Sequence, residues 1–230
     1  MNKILKLCIF FIGIGVFFIG GMITQKYYGL GNIIKKLNSS YTSETNKNYI
    51  EESHEESLSI FILAGQSNME GDGDIKDFNT DLNREGIYVF NDDYRWVIGK
   101  EPVSTKVGPS ISFAATLIEN DAEYPIGIIN VARGGTNIGQ WLNNGDDNSL
   151  YKNMIKRALA GSSQGEIKGL LFYQGENDAE GDSTDYVYDW HLKFDEFVTE
   201  VRQDLKLDSL PIIFAQIGKG NGKNWIKVKV

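Results

Sequence analysis

Residues 59–71 read SIFILAGQSNMEG: a strand-length apolar run, SIFILA, then Gly65, then the polar triplet Gln66-Ser67-Asn68. An apolar run without polar alternation is the mark of a strand covered on both faces, as in a parallel sheet. Four more such runs follow: IYVF at 87–90, IGIINVA at 126–132, GLLFY at 169–173 and PIIFAQI at 211–217. Helical patterns fill the gaps. SISFAATLIEN at 110–120 puts Ile111, Ala114, Ala115 and Ile118 on one stripe. SLYKNMIKRALAG at 149–161 groups Leu150, Met154, Ile155 and Ala158 and ends on Gly161. Residues 185–205 carry Val187, Trp190, Phe194, Phe197, Val198, Val201 and Leu205 on one face. Strands alternating with helices predict a layered α/β domain.

Three of the strands run into polar, glycine-bearing motifs. These are Gly65-Gln66-Ser67-Asn68-Met69, Arg133-Gly134-Gly135-Thr136 and Gln174-Gly175-Glu176-Asn177-Asp178. Chemistry in open α/β sheets collects beyond the carboxyl ends of the strands, so parallel neighbours would place all three on one rim. Acyl transfer needs that layout. Gly65 permits a tight turn that exposes the Ser67 hydroxyl. Backbone N–H groups of Ser67 and Gly135 can stabilise an oxyanion, and the carboxamide of Asn177 or of Gln174 can add a third donor. Taken singly, each motif also reads as structure: a serine after a strand caps helices, Gly-Gly-Thr is a turn, and Gln-Gly-Glu-Asn-Asp can cap the next helix. Their order, each directly after an apolar strand, is what points to a site.

The three motifs together resemble the SGNH hydrolase superfamily, and within it the sialate O-acetylesterase-type carbohydrate esterases. FILAGQSNMEG (61–71), GPSISFA (108–114), NVARGGTNIGQW (130–141) and LLFYQGENDA (170–179) carry the resemblance over roughly 58–225. It implies a three-layer α/β/α, flavodoxin-like parallel sheet and hydrolysis of O-acetyl esters on carbohydrates, with no metal and no organic cofactor. It implies Ser67 as nucleophile and an oxyanion hole of Ser67, Gly135 and Asn177, with Gly134 and Gln174 as alternates. Gln66, Asn68, Trp141 and Glu176 are expected to bind substrate, with Trp96 a second tryptophan able to stack on a sugar.

One element of the resemblance is missing. Relatives carry a catalytic Asp-x-x-His after the last strand, whereas this sequence reads GKGNGKNWIKVKV after PIIFAQI and has only two histidines, His54 and His191. The sequence therefore looks C-terminally truncated, with no catalytic His or Asp identifiable. His191 is expected mid-helix, far from the strand rim, and His54 in a solvated linker. Without a base, a serine stays a weak nucleophile at neutral pH. Two further functions stay open: a non-catalytic glycan-binding surface protein on the same fold, and an esterase of lipid or other esters.

The remaining features set boundaries. Lys3 and Lys6 precede the uncharged run Leu7–Ile23, long enough to cross a thin bilayer as a helix. Residues 1–26 are read as a signal anchor, 27–57 as a polar linker and 58–230 as the esterase-like domain, incomplete at its C-terminus. That arrangement implies a single-pass protein of the cell membrane with its domain outside, or a secreted one if the leader is cleaved. The net charge is −8, with the excess acid after residue 57; this disfavours nucleic acid as a partner. A single cysteine, Cys8, excludes a disulfide framework. The Asp-rich stretch 72–84 lacks the Glu of a calcium loop and is read as irregular.

Overall fold

The computed structural model describes residues 57–78, 85–120, 122–180 and 189–217. The run Leu7–Ile23, the linker with His54, and residues 218–230 lie outside them. Among the described residues no helix is long and apolar enough to cross a membrane.

Among the described residues six strands form one sheet: β1 (Leu58–Gly65), β2 (Ile87–Phe90), β3 (Trp96–Ile98), β4 (Ile126–Asn130), β5 (Gly165–Tyr173) and β6 (Ile212–Phe214). Their order is β3-β2-β4-β1-β5-β6. All pairs are parallel except β2 with β3, a hairpin edge in which Val89 faces Val97. The sheet is therefore mixed rather than wholly parallel. The order of its parallel strands also departs from the expected flavodoxin-like one, in which the first strand separates the second from the third. Here β4 lies between β1 and β2.

The helices are α1 (Ser67–Glu70), α2 (Ser110–Glu119), α3 (Leu150–Gly161), α4 (Glu176–Glu180) and α5 (Trp190–Leu205). Alternation along β1 assigns the layers. Ile60, Ile62 and Ala64 face the core built with Met154 and Ala158 of α3 and Phe194, Phe197 and Val201 of α5. Leu63 faces the other core, with Ile111, Ala114 and Ala115 of α2. Three layers result. Ile60, Ile62 and Leu63 are fully buried, and each such side chain contributes roughly 1.5–3 kcal/mol by leaving water.

The sequence-based helices fit closely at α2 and α3, where the Ser149 side chain caps α3 by accepting the Lys152 N–H at 3.2 Å. Strand β5 begins four residues before GLLFY. Its polar start pairs with Leu58–Ile60, and the register shifts so that Lys168 is the extra residue opposite the Ile60–Phe61 step. Strand β3 is not legible as an apolar run because Arg95 and Gly99-Lys100 leave only Trp96–Ile98 between them.

Connections diverge at the centre of the sheet. The chain leaves β1 toward β2 on one side and leaves β5 toward β6 on the other. The β1/β5 boundary is thus the topological switch point, the place where α/β sheets open a crevice. Ser67 follows β1 and Gln174–Asp178 follow β5.

Candidate active site

Gly65 ends β1 at φ +133°, a conformation suited to glycine. A Cβ there would sit 2.1 Å from the Tyr173 carbonyl oxygen. The chain then turns sharply, with the Gln66 N–H donating to that same carbonyl at 2.9 Å. Ser67 opens the single turn of α1, half-buried, and its hydroxyl makes no hydrogen bond among the described residues.

The glycine loop after β4 comes to it. The Arg133 N–H donates to the Gly65 carbonyl at 2.8 Å. A Cβ on Gly134 would lie 3.7 Å from Ser67 Cβ and 3.0 Å from Glu70 Oε2. The Gly134 N–H donates to that Glu70 oxygen at 2.7 Å. Gly135, at φ +71°, has open space where a side chain would be, and its N–H has no partner among the described residues.

The third motif is laced to the first through Gln66. Its Oε1 accepts the Asn177 N–H at 3.2 Å, the Gly175 N–H at 3.4 Å and the Gln174 carboxamide at 3.3 Å. Asn68 Nδ2 donates to Glu176 Oε1. Asn177 is exposed, and its carboxamide makes no hydrogen bond among the described residues. A serine hydroxyl, a free glycine N–H and a free carboxamide therefore open on one rim.

Several expected site residues have other work. Gln174 is 2% exposed; its Nε2 donates to the Thr136 carbonyl at 2.9 Å and to Asp178, and its Oε1 accepts the Trp190 indole N–H at 2.9 Å. It has no hydrogen left for an oxyanion, which leaves Asn177 as the third-donor candidate. Gln66, 4% exposed, joins two loops rather than facing substrate. Glu176 is buried, with Oε1 on Asn68 and Oε2 unpartnered. Trp141 is fully buried and donates its indole N–H to Thr136 Oγ1 at 3.1 Å; Trp96 is buried against Gly127 and Gly161. Neither tryptophan presents a stacking face.

His191 lies in the first turn of α5, not mid-helix, and is exposed. Its neighbour Trp190 reaches Gln174, so the helix start is nearer the site than the periodicity implied. No imidazole contacts Ser67 among the described residues. No group of three or more His, Cys, Asp or Glu side chains able to hold a metal occurs among them either.

Sequence reading missed Glu70 and Arg133. Both line a cleft of about 860 Å³ over the carboxyl ends of β2 and β4, with Asn130, Ser104 and Lys100. That volume falls in the range of small-molecule sites. Glu70 gave no local signal, because its partner Gly134 lies 64 residues away.

Comparison with known proteins bears on the family and the fold. The family model of carbohydrate esterases described as sialic acid-specific acetylesterases matches residues 57–230. A probable carbohydrate esterase of Arabidopsis thaliana, At4g34215, is 34% identical over 194 aligned residues, spanning 71% of this chain and 70% of that protein. The crystal structure of that Arabidopsis protein superposes with a TM-score of 0.66 at 31% identity, covering 75% of this chain and 79% of that one. XAC1771, a carbohydrate acetylesterase from Xanthomonas citri, shares the fold with a TM-score of 0.57 at 19% identity, covering 74% of this chain and 46% of that one. NanS does so with a TM-score of 0.53 at 20% identity, covering 69% and 67%.

Proposed function

The chain belongs to the carbohydrate esterase family of sialic acid-specific acetylesterases, and we propose that within it Ser67 takes the acetyl group from an O-acetylated carbohydrate. One observation carries the reading: the Gly134 backbone lies against Ser67 while the Asn177 N–H is held on Gln66. The Ser67 oxygen adds to the acetyl carbonyl carbon. The N–H groups of Ser67 and Gly135 and the Asn177 carboxamide take the developing oxyanion. The sugar oxygen leaves with a proton, and water then releases acetate from acetyl-Ser67.

What this chain does not bring to Ser67 among the described residues is a base. We therefore expect the 230-residue chain to hydrolyse acetyl esters weakly, near the roughly 10³–10⁴ over water that a site retains after loss of a triad member. Added imidazole supplies the missing proton acceptor. With p-nitrophenyl acetate, imidazole should raise the rate beyond its own background reaction. The Ser67→Ala variant should lose that increment. An increment unchanged by Ser67→Ala would end the proposal.

A second reading is a glycan-binding protein that keeps the rim without turnover. It requires calorimetric binding of an acetylated sugar with no acetate released, even with imidazole present. For location, we propose membrane anchoring through Leu7–Ile23, with the esterase-like domain outside the cell. Retention of the full chain in the membrane pellet after alkaline carbonate washing, and its absence there when 1–26 are deleted, is the expected outcome.

A further inference from the structure

We infer that Glu70 is a positioning residue of the oxyanion hole: its carboxylate holds the Gly134–Gly135 turn against Ser67 and leaves the Gly135 N–H as the glycine loop's free donor. This inference rests on the nucleophile assignment above.

Two glycines in succession carry more backbone freedom than any other pair. Both flanks of this pair are anchored. Arg133 N–H is held by the Gly65 carbonyl at 2.8 Å, and Thr136 Oγ1 donates to the Arg133 carbonyl at 2.9 Å while accepting from the buried Trp141 at 3.1 Å. Between the anchors, the pair makes one hydrogen bond among the described residues, Gly134 N–H to Glu70 Oε2 at 2.7 Å. A charged acceptor at that length is a strong bond. Its source is well placed: Glu70 stands three residues after Ser67 on the one-turn helix α1, so both side chains leave the same side. The carboxylate is itself steadied by the Ser104 hydroxyl, 3.5 Å from Oε1. One short helix thus supplies both the nucleophile and the brace for its oxyanion donor. An oxyanion hole works by donors fixed before the charge appears, and here the fixing passes through a single side chain.

The test compares two nearly isosteric variants, Glu70→Met, which has no carboxyl acceptor, and Glu70→Gln, which keeps one oxygen. The probe is phenylboronic acid, read by calorimetry on the full chain. The Ser67 oxygen bonds to boron, the hydroxyl proton passes to buffer, and the tetrahedral anion presents an oxygen to the hole. Glu70→Met should weaken boronate binding about tenfold to a hundredfold, a part of the 10²–10³ that follows outright loss of a donor. Affinity for an uncleaved acetylated sugar should fall several times less than boronate affinity, a split that general loosening does not produce. Glu70→Gln, which keeps a neutral acceptor, should lose clearly less than Glu70→Met.

Unchanged boronate affinity in Glu70→Met overturns the inference. So does tighter binding, which would mean that the carboxylate obstructs the hole. So does equal loss in both variants, since glutamine can still accept from Gly134. If Glu70→Met does not fold, amide exchange in the parent decides: a Gly134 N–H exchanging as fast as free loop amides removes the brace. Ser67→Ala separates this from the underlying reading. Boronate binding that survives Ser67→Ala defeats the nucleophile, whereas binding lost in Ser67→Ala but unaffected in Glu70→Met defeats the brace alone.

Discussion

Gly65 and Ser67 are adjacent but act on different quantities. A methyl group on Gly65 meets the Tyr173 carbonyl at 2.1 Å, and the residue is at φ +133°. The neighbouring strand cannot yield without breaking its pairing with β1. We predict that Gly65→Ala costs at least about 3 kcal/mol, the range of strained or overpacked sites, seen as a lower urea midpoint. Ser67→Ala should leave stability within about 0.5 kcal/mol, as its hydroxyl makes no hydrogen bond among the described residues, while removing the imidazole-dependent turnover. Equal midpoints for the two variants would contradict this division. Both residues were legible from the sequence, because a glycine after an apolar strand and a serine on the turn are local features. The bracing role of Gln66 is not legible for the converse reason. Its partners, Gly175 and Asn177, stand 109 and 111 residues away, and nothing near position 66 records them.

Strands β1, β2, β4 and β5 and the three main helices follow from apolar periodicity, since each buries a face whose spacing is written in the chain; β6 lies within the apolar run 211–217, although its Ile213 and Phe214 are exposed. The short hairpin strand β3 and the polar start of β5 do not show as apolar runs: β3 has three residues, with Trp96 buried in the core, and Gly165-Glu166 pair with β1 without an apolar side chain. The loop from Gln174 to Asp178 shows a further limit: its polar residues look like a binding motif, yet Gln174, Glu176 and Asp178 are buried braces. Asp178 accepts the Ile138 N–H at 3.1 Å and the Gln174 carboxamide. Burial pushes its carboxyl above the ordinary value of 3.8, although those two donors pull the other way. Burial likewise raises Glu101 above 4.5, against the N–H groups of Val103, Gly108 and Ile111. The sign follows from proton linkage. Between the unfolded and the raised folded value the native state holds more protons, so stability falls as pH rises through that window. We predict that from about pH 4 upward the parent loses thermal stability relative to Asp178→Asn. A difference in melting temperature that stays flat, or moves the other way, across that window would show that Asp178 does not titrate upward-shifted in the fold.

Strand order is the least legible level, because pairing among non-consecutive strands is decided by packing of the two helical layers and not by any one segment. The sequence motifs resemble a family whose sheet is expected in flavodoxin order, yet β4 intervenes between β1 and β2. The site survives because it needs only β1, β4 and β5 to be neighbours, and they are. Charge, in contrast, is fully legible and acts at long range. The chain carries −8, while the cleft that Glu70 lines sets Lys100, Arg133, Lys156 and Arg157 against Glu70, Asp92 and Asp147; of these cations only Arg157 is in an ion pair among the described residues, with Asp92. A carboxylated acetyl sugar meets general repulsion from afar and the cations of the cleft only at contact. Screening acts on the first term more than the second: the Debye length shrinks from about 30 Å at 0.01 M salt to about 8 Å at 0.15 M. The association rate for an acidic acetylated sugar should therefore rise severalfold over that interval, and that of its neutral methyl ester should stay level. Stopped-flow binding to Ser67→Ala, which does not turn over, measures both. A rate that falls with salt for the acidic sugar alone would mean that the cations of the cleft govern the approach and that the acidic surface lies out of the ligand's path.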